Sequence, residues 1–272
     1  MSADVSFAAL QTAKCNQAAR LRMDTSPMRG VRALLQKTAP GKLARSGKFA
    51  CFRARTESNR PTGPKLRGIT KLLTKRLYSN ATPPSDGSWR GGAWQGAGGG
   101  LRRGKAVDAQ VSRLAKGSEA MRKRSKMLKL TRLTFNALAY HGLVPVDAQR
   151  VVIDSDRGIG TAVDVVCMRG EAELVLVELK TGFGGDRTRH AGTFMQTPLV
   201  KARDSHINRH FAQLAVTMHL FNREKRTLAK LLAKGVDAVA GCVLYVDGDE
   251  SEKFELPAWW ARRGERIVER IS

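Results

Sequence analysis

The pattern of apolar and polar positions singles out one stretch, in which a continuous apolar run from Leu174 to Val177 is followed by Glu178-Leu179-Lys180. A run of this kind between glycines is typical of a strand that is covered on both faces of its sheet. Because alternate residues of a strand point to the same side, Glu178 and Lys180 share one face. Two charges at the end of a buried strand are unfavourable unless they bind or act on something, so the pattern indicates a functional site. An inert ion pair at the strand end is the alternative.

A second strand is predicted at Ile159–Cys167, where Asp164 lies among apolar neighbours. The glycine-containing turn that follows favours an antiparallel hairpin with the strand Glu173–Lys180. This pairing would bring Asp164 alongside Glu178. A shorter β run, Gln149–Ile153, is expected to precede the hairpin after a turn.

Apolar residues spaced three and four apart predict helices in the rest of the chain. Ser118 is a suitable N-cap for one of them, and Asp204 or Ser205 for another. The predicted helices and the last strand are 107–116, Ser118–Tyr140, His206–Asn222, Thr227–Lys234 and the strand Val236–Val246. The order is therefore helix, three strands, helix and strand, which indicates an α/β fold.

An Asp on one strand and a Glu-X-Lys triplet on the next resemble the PD-(D/E)XK nuclease superfamily. The motif here is Asp164 followed by Glu178-Leu179-Lys180, and the resemblance covers about residues 106–247. It is closer to lambda exonuclease-type and viral or organellar DNA-processing nucleases. The resemblance implies a restriction-endonuclease-like αβββαβ core, with a mixed central sheet flanked by helices.

The resemblance also implies a chemistry, the hydrolysis of phosphodiester bonds in DNA with Mg²⁺ or Mn²⁺ as the cofactor. Asp164, Glu178 and the Leu179 carbonyl would bind the cation, because hard divalent cations prefer oxygen ligands. Lys180 would orient the attacking water or balance charge, and Gln213 on the following helix would help to orient the site. The expected enzyme is an exonuclease acting in DNA repair, recombination or replication.

Two further acids have open roles. Asp108 stands where related nucleases often carry a His, and the alternative role for this residue is a helix N-cap. Some members of the superfamily place a Glu near the metal on the first helix, and Glu119 is the carboxylate at that position here. The alternative for Glu119 is a favourable charge at a helix N-terminus.

Basic residues after the Glu-X-Lys strand are candidates for nucleic-acid contacts. Arg187 and Arg189 lie in a long polar loop, and loops of this length are often functional. His206 and Arg209 lie at the start of the next helix. We expect these four side chains to contact phosphates, with a solvated loop as the alternative for the first two and helix packing as the alternative for His206.

The charge of the chain is strongly positive, with a formal net value of +24 and a pI near 10.7. The excess is concentrated in residues 1–105, which hold 21 Lys and Arg against four Asp and Glu. This balance favours a polyanionic partner, and DNA is expected, with RNA as an open alternative. A catalytically inactive nucleic-acid-binding or DNA-packaging protein on a nuclease-like core is the alternative function.

The composition divides the chain into a basic, largely unstructured N-terminal extension, 1–105, and a nuclease domain, 106–272. The hydrophobic runs of the extension look too thin for a core, although 28–43 and 66–78 could form short helices, and the segment 85–100 is typical of a glycine-rich linker. The extension is interpreted as an organellar transit peptide, as a nucleic-acid-binding arm or as a solvated leader.

Four scattered cysteines without metal-ligand spacing indicate a reducing compartment. An intracellular location is therefore expected. The Arg-rich, acid-poor N-terminus favours the mitochondrion or another organelle, with the nucleus or a virus as alternatives. No stretch of 18 uninterrupted apolar residues occurs in the sequence, so no membrane span is expected.

Overall fold

A computed structural model describes the chain in eight segments. The described residues are 26–38, 51–52, 66–79, 99–116, 127–181, 187–188, 190–247 and 250–272.

Eight helices and nine strands lie in these segments. The helices are α1 (Ser26–Thr38), α2 (Ile69–Arg76), α3 (Gly99–Ala115), α4 (Lys129–Tyr140), α5 (His206–Asn222), α6 (Lys225–Leu232), α7 (Ala258–Ala261) and α8 (Gly264–Ile271). The strands are β1 (Cys51–Phe52), β2 (Leu66–Gly68), β3 (Leu143–Asp154), β4 (Ile159–Arg169), β5 (Glu173–Thr181), β6 (His190–Phe194), β7 (Arg203–Ser205), β8 (Ala238–Asp247) and β9 (Glu250–Glu255).

The main sheet is mixed, with the strand order β1-β2-β4-β5-β8-β9 and with β3 paired along the other edge of β4. Strands β3, β4 and β5 form an antiparallel meander, and β8 lies parallel to β5. The parallel pair requires a crossover connection, and α5 and α6 lie within it. Strands β6 and β7 form a separate antiparallel pair within that connection.

The sheet is covered on both faces, as the continuous apolar pattern of β5 predicts. One apolar cluster joins the sheet to residues of α1, α2, α5 and α8, and the other joins it to α3 and α4. Within β5 the side chains alternate between the clusters, with Leu174 and Leu176 on the α5 side and Val175 and Val177 on the α3 side. The architecture is therefore α/β with three layers.

The structure confirms three of the predicted elements, namely the hairpin of β4 and β5, the helix α5 and the strand β8. Ser205 caps α5, since its side chain accepts a hydrogen bond from the Asn208 backbone N–H at 3.3 Å. The prediction of one continuous helix from Ser118 to Tyr140 is wrong. Leu128 has an extended backbone conformation, and α4 begins only at Lys129, whereas Ser118 lies outside the described residues.

Strand β3 is longer than the expected run Gln149–Ile153, because pairing with β4 extends it to Leu143. Strand β9 lies beyond the last predicted strand, and it pairs antiparallel with β8. None of the helices in the described segments is long and apolar enough to span a membrane.

Two segments of the N-terminal extension belong to the core. Met28, Val31 and Leu35 of α1 are buried, as are Ile69 and Leu73 of α2. This corrects the expectation that the apolar runs before residue 105 are too thin for a core. The expected boundary at 105/106 also falls inside α3.

Close packing of α8 against α5 gives a stability prediction at Gly264. A Cβ atom at this position would lie 2.5 Å from the Ala215 carbonyl oxygen and 2.8 Å from the His219 Cβ. We expect Gly264→Ala to lower the free energy of unfolding by about 1–3 kcal/mol, because the two helices must move apart. Urea unfolding measures this change.

Gly104→Ala in α3 is the matched control, since its Cβ would meet only the Thr181 Oγ1 atom, at 4.0 Å. This substitution is expected to raise stability by up to about 1 kcal/mol through helix propensity. Equal unfolding free energies for the two variants would contradict the close helix contact at Gly264.

Candidate active site

Strands β4 and β5 separate at the open end of their hairpin, opposite the turn. Their backbone ladder runs from the turn to the pair Val165 and Val177. Beyond that pair, the Leu179 backbone N–H donates a hydrogen bond of 3.0 Å to Oδ2 of Asp164. Because a side-chain carboxylate takes the place of a backbone acceptor here, Asp164 lies at the opening between the two strands.

Glu178 lies in this opening and is 2 % exposed. One of its oxygens, Oε1, accepts hydrogen bonds from Lys180 Nζ at 2.5 Å and from Gln213 Nε2 at 2.7 Å. Gln213 reaches Glu178 because α5 covers the face of β5 to which alternate residues point. The structure therefore brings together the four side chains that the sequence singled out, Asp164, Glu178, Lys180 and Gln213.

The charges of this cluster perturb one another. Burial raises the pKa of Glu178 to about 7, with Lys180 opposing this shift and Asp164 adding to it. Burial likewise raises the pKa of Asp164. Burial alone would lower the pKa of Lys180, but the attraction of Glu178 and Asp164 outweighs it and the pKa is raised. Lys180 is therefore a cation at neutral pH, and its side chain is 25 % exposed, so a ligand can reach it.

Asp108 is a third acid at the site. It lies in the middle of α3, so the alternative role of a helix N-cap is wrong. Burial raises its pKa to about 7, the charge of Asp164 raises it further, and the charge of Lys180 opposes the shift. The acid that the sequence left open thus belongs to the same electrostatic cluster. Glu119, the other open acid, lies outside the described residues.

Gln149 is a neighbour of the site that the sequence did not indicate. Its Nε2 lies 3.4 Å from Oδ1 of Asp164, so both oxygens of that carboxylate have a donor. Its φ angle is +50°, a conformation that is uncommon for residues other than glycine. No local pattern marks this position, because a single glutamine at the start of a short β run is an ordinary strand residue.

Two tyrosines stand near the cluster and were also missed. Tyr245 is the cross-strand neighbour of Lys180, and its hydroxyl lies 2.6 Å from Nδ1 of His210. The hydroxyl of Tyr78 donates to the Arg209 carbonyl oxygen at 3.0 Å. The pKa of His210 is lowered well below its usual range by burial and by the charge of Lys180, so the imidazole beside Tyr245 is neutral.

The guanidinium groups expected to contact phosphates make contacts within the chain. Arg187 pairs with Glu252 at 3.2 Å and lies over the Tyr245 ring. Arg209 pairs with Asp204 at 2.6 Å and lies over the Tyr78 ring. His206 begins α5 and is partly buried, whereas Arg189 lies outside the described residues. A role for these residues in binding nucleic acid stays a prediction.

The donor set fits a magnesium ion. In the described segments no three His, Cys, Asp or Glu side chains lie together as a ready-made metal cluster. Mg²⁺ does not require one, because it usually keeps several waters and takes one or two carboxylates. Asp164 and Glu178 supply two, and their raised pKa values mean that a nearby cation would relieve an unfavourable charge. The Leu179 carbonyl stays a predicted ligand.

The candidate active site thus consists of two carboxylates and an ammonium group at the parting of β4 and β5, with Gln213 above them and Asp108 beside them. The arrangement suits chemistry on a phosphate group, which needs oxygen ligands for a cation and a positive charge for the substrate.

Comparisons with known protein families, with curated proteins and with solved structures find no match to this chain.

Proposed function

We propose that the chain is a Mg²⁺- or Mn²⁺-dependent nuclease that hydrolyses phosphodiester bonds of DNA on a PD-(D/E)XK-type core. The convergence of Asp164, Glu178 and Lys180 at the parting of β4 and β5 is the observation that carries the proposal. The order of α4, β3 to β5, α5 and β8 also supports it, because it agrees with the αβββαβ order of that superfamily.

Asp164 and Glu178 would hold the cation, with the Leu179 carbonyl as a further ligand. When bound, a divalent cation lowers the pKa of a coordinated water and neutralises charge on the phosphate. Lys180 and Gln213 both bond to Oε1 of Glu178, which orients this carboxylate and would leave its other oxygen, Oε2, for the cation.

Lys180 has a role of its own in this proposal. Its ammonium group remains charged at neutral pH and is partly exposed. It can therefore donate a hydrogen bond to the attacking water or to a phosphate oxygen on which negative charge develops. The neutral pair of His210 and Tyr245 lines the same side and adds no charge that competes with Lys180.

Exonucleolytic action, in repair, recombination or replication, is the finer part of the proposal. A linear duplex and a covalently closed circle of the same sequence separate exonuclease from endonuclease activity. The proposal expects the linear duplex to be degraded and the closed circle to survive. Nicking of the circle would contradict exonuclease activity and would indicate an endonuclease.

Metal binding by the site can be tested without any activity measurement. We expect saturating Mg²⁺ or Mn²⁺ to raise the melting temperature of the full chain, since a ligand at a hundred times its Kd adds about 2.7 kcal/mol of stability. Asp164→Asn keeps an oxygen acceptor for the Leu179 N–H but removes the charge. The variant is therefore expected to lose both the metal-induced increment and the cleavage of linear DNA, which chelator also abolishes in the unaltered chain.

Asp156→Asn is the matched control, because Asp156 is an exposed acid in the turn between β3 and β4. It should keep both the metal-induced increment and the cleavage. Binding of DNA without cleavage in either cation would refute the hydrolase. It would leave a basic nucleic-acid-binding or packaging protein, which the formal charge of +24 favours.

A further inference from the structure

One face of α3 carries positive charge only. Arg102, Lys105 and Arg113 are exposed, and so is Ala109 between them. Their spacings of three and four residues place all four positions on the same side of the helix. We name the three cations the α3 basic face. Lys116 follows the helix and lowers the pKa of the buried Asp147, so it has an acid nearby and is not included.

No acid balances these cations on α3. Asp108 is the one acidic residue of the helix, and it belongs to the electrostatic cluster of the candidate active site. None of the three cations forms an ion pair with another residue in the segments that the structure describes. The exposed side of α8 is different, since it alternates acidic and basic residues, Glu265, Arg266, Glu269 and Arg270.

At its start this arrangement is unfavourable for the isolated helix, whereas Arg113 in the last turn is favourably placed with respect to the helix dipole. Arg102 lies in the first turn, where the helix dipole disfavours cations, and Lys105 is a like charge three residues later. The dipole effect amounts to about 0.3–1 kcal/mol, and the like-charge pair to about 0.2–0.5 kcal/mol. A partner with matching negative charge would turn these unfavourable interactions into favourable ones.

The α3 basic face lies beside the candidate active site. Asp108 is within one turn of Lys105 and interacts electrostatically with Asp164 and Lys180. Gly104 lies opposite Thr181, the last residue of β5. From Arg102 to Arg113 the helix extends for about 16 Å. Successive phosphates of one strand of B-DNA rise by about 3.4 Å along the duplex axis, so the face is long enough to follow several of them.

We propose that the α3 basic face binds the phosphate backbone of the DNA that enters the candidate active site. The choice of DNA as the polyanion rests on the proposed function, because a phosphate-processing site lies next to the face. The surface differs from the one that the sequence suggested, since the guanidinium groups of Arg187 and Arg209 are paired with Glu252 and Asp204. Arg102, Lys105 and Arg113 have no such acids to displace.

The first experiment measures binding of the full chain to a fluorescein-labelled linear duplex by anisotropy, in chelator so that no cleavage occurs. We expect the triple variant Arg102→Gln/Lys105→Gln/Arg113→Gln to bind at least about tenfold more weakly at low salt. The slope of log Kd against log salt is expected to decrease by about 3, one unit for each phosphate that the variant no longer neutralises. The melting temperature should be unchanged or higher, because like charges have been removed.

A second set of variants adds a charge instead of removing three. Ala109→Glu places an acid in the middle of the α3 basic face and is expected to weaken duplex binding several-fold, whereas Ala109→Gln, of the same size, leaves it unchanged. Lys230→Gln in α6 lowers the net charge by the same one unit. Its helix leads to the start of β8, which pairs with the first residue of β5, so it lies at the end of the sheet away from Lys180. This control should bind like the unaltered chain.

Cleavage of linear DNA by the unaltered chain is measured separately, so that the two proposals fail independently. Weaker binding in the triple variant and in Ala109→Glu supports the α3 basic face even if no cleavage is found. Unchanged duplex binding in both overturns it, even if the chain is an active nuclease. Loss of binding to phosphatidylserine vesicles with unchanged duplex binding would also overturn it, in favour of a membrane surface.

Discussion

Lys180→Ala is expected to reduce cleavage of linear DNA by about 10²–10³-fold, the loss found when one preorganised hydrogen-bond donor is removed from an active site. The substitution removes the one cation that contacts Glu178 in the described part of the chain, so in the proposed reaction neither the attacking water nor the developing phosphate charge would have an ammonium group to contact. Binding of DNA in chelator is expected to be nearly unchanged, because the α3 basic face is intact. Single-turnover cleavage and anisotropy measure the two quantities.

Lys180→Gln separates charge from hydrogen bonding at the same position, since a glutamine can still donate to Glu178 but carries no charge. It is expected to be as inactive as Lys180→Ala. Lys253→Ala, which removes a lysine from β9 with a carboxylate partner of its own, Glu255, serves as the control and should cleave normally. Normal cleavage by both Lys180 variants would refute the site.

Arg150→Met is expected to lower the free energy of unfolding by about 3–5 kcal/mol, the usual effect of removing one partner of a buried ion pair. The Arg150 side chain is fully buried. It donates to the Leu35 carbonyl oxygen at 2.7 Å and pairs with Glu224 at 2.6 Å. The substitution leaves both acceptors without their donor, so the melting temperature should decrease by about 10 °C. Chemical denaturation measures the change.

Arg157→Met is the control for Arg150→Met, because Arg157 also pairs with a buried acid, Asp154, but is itself 32 % exposed. Asp154 keeps a second partner, Arg223, at 2.6 Å. The control is therefore expected to lose about 1 kcal/mol or less. Equal losses in the two variants would mean that Arg150 does not anchor α1 as its contacts indicate.

The centre of the fold and the site could be predicted from local patterns. An apolar run with two charges at its end defined β5 and placed Glu178 and Lys180 on one face. Ser205 as an N-cap set the start of α5, and with it the position of Gln213 over Glu178. Strand alternation and helix capping act over a few residues, so they are visible in the sequence.

The N-terminal helices could not be predicted as core elements from local patterns. The apolar residues of α1 are separated by basic ones, and the buried partner that anchors it, Arg150, lies 115 residues from Leu35 in the chain. The start of α3 could not be predicted from local patterns either. Gly99 and Gly100 are poor helix formers, by about 1 kcal/mol each relative to alanine, and are typical of a linker, so Asp108 looked like a residue near a helix start. Tertiary packing decided both cases.

The pairing of β2 has a consequence for the order in which the protein is built during translation. Gly68 pairs with Gly160, and Arg67 donates a hydrogen bond to the Ser272 carbonyl oxygen at 3.2 Å. These partners are synthesised long after α2 and β2 have left the ribosome. The apolar side chains of α2 and β2 therefore stay exposed to solvent until α8 has been synthesised. Contacts between residues so far apart in the chain also form slowly. During that interval the exposed apolar surface makes the nascent chain prone to aggregation.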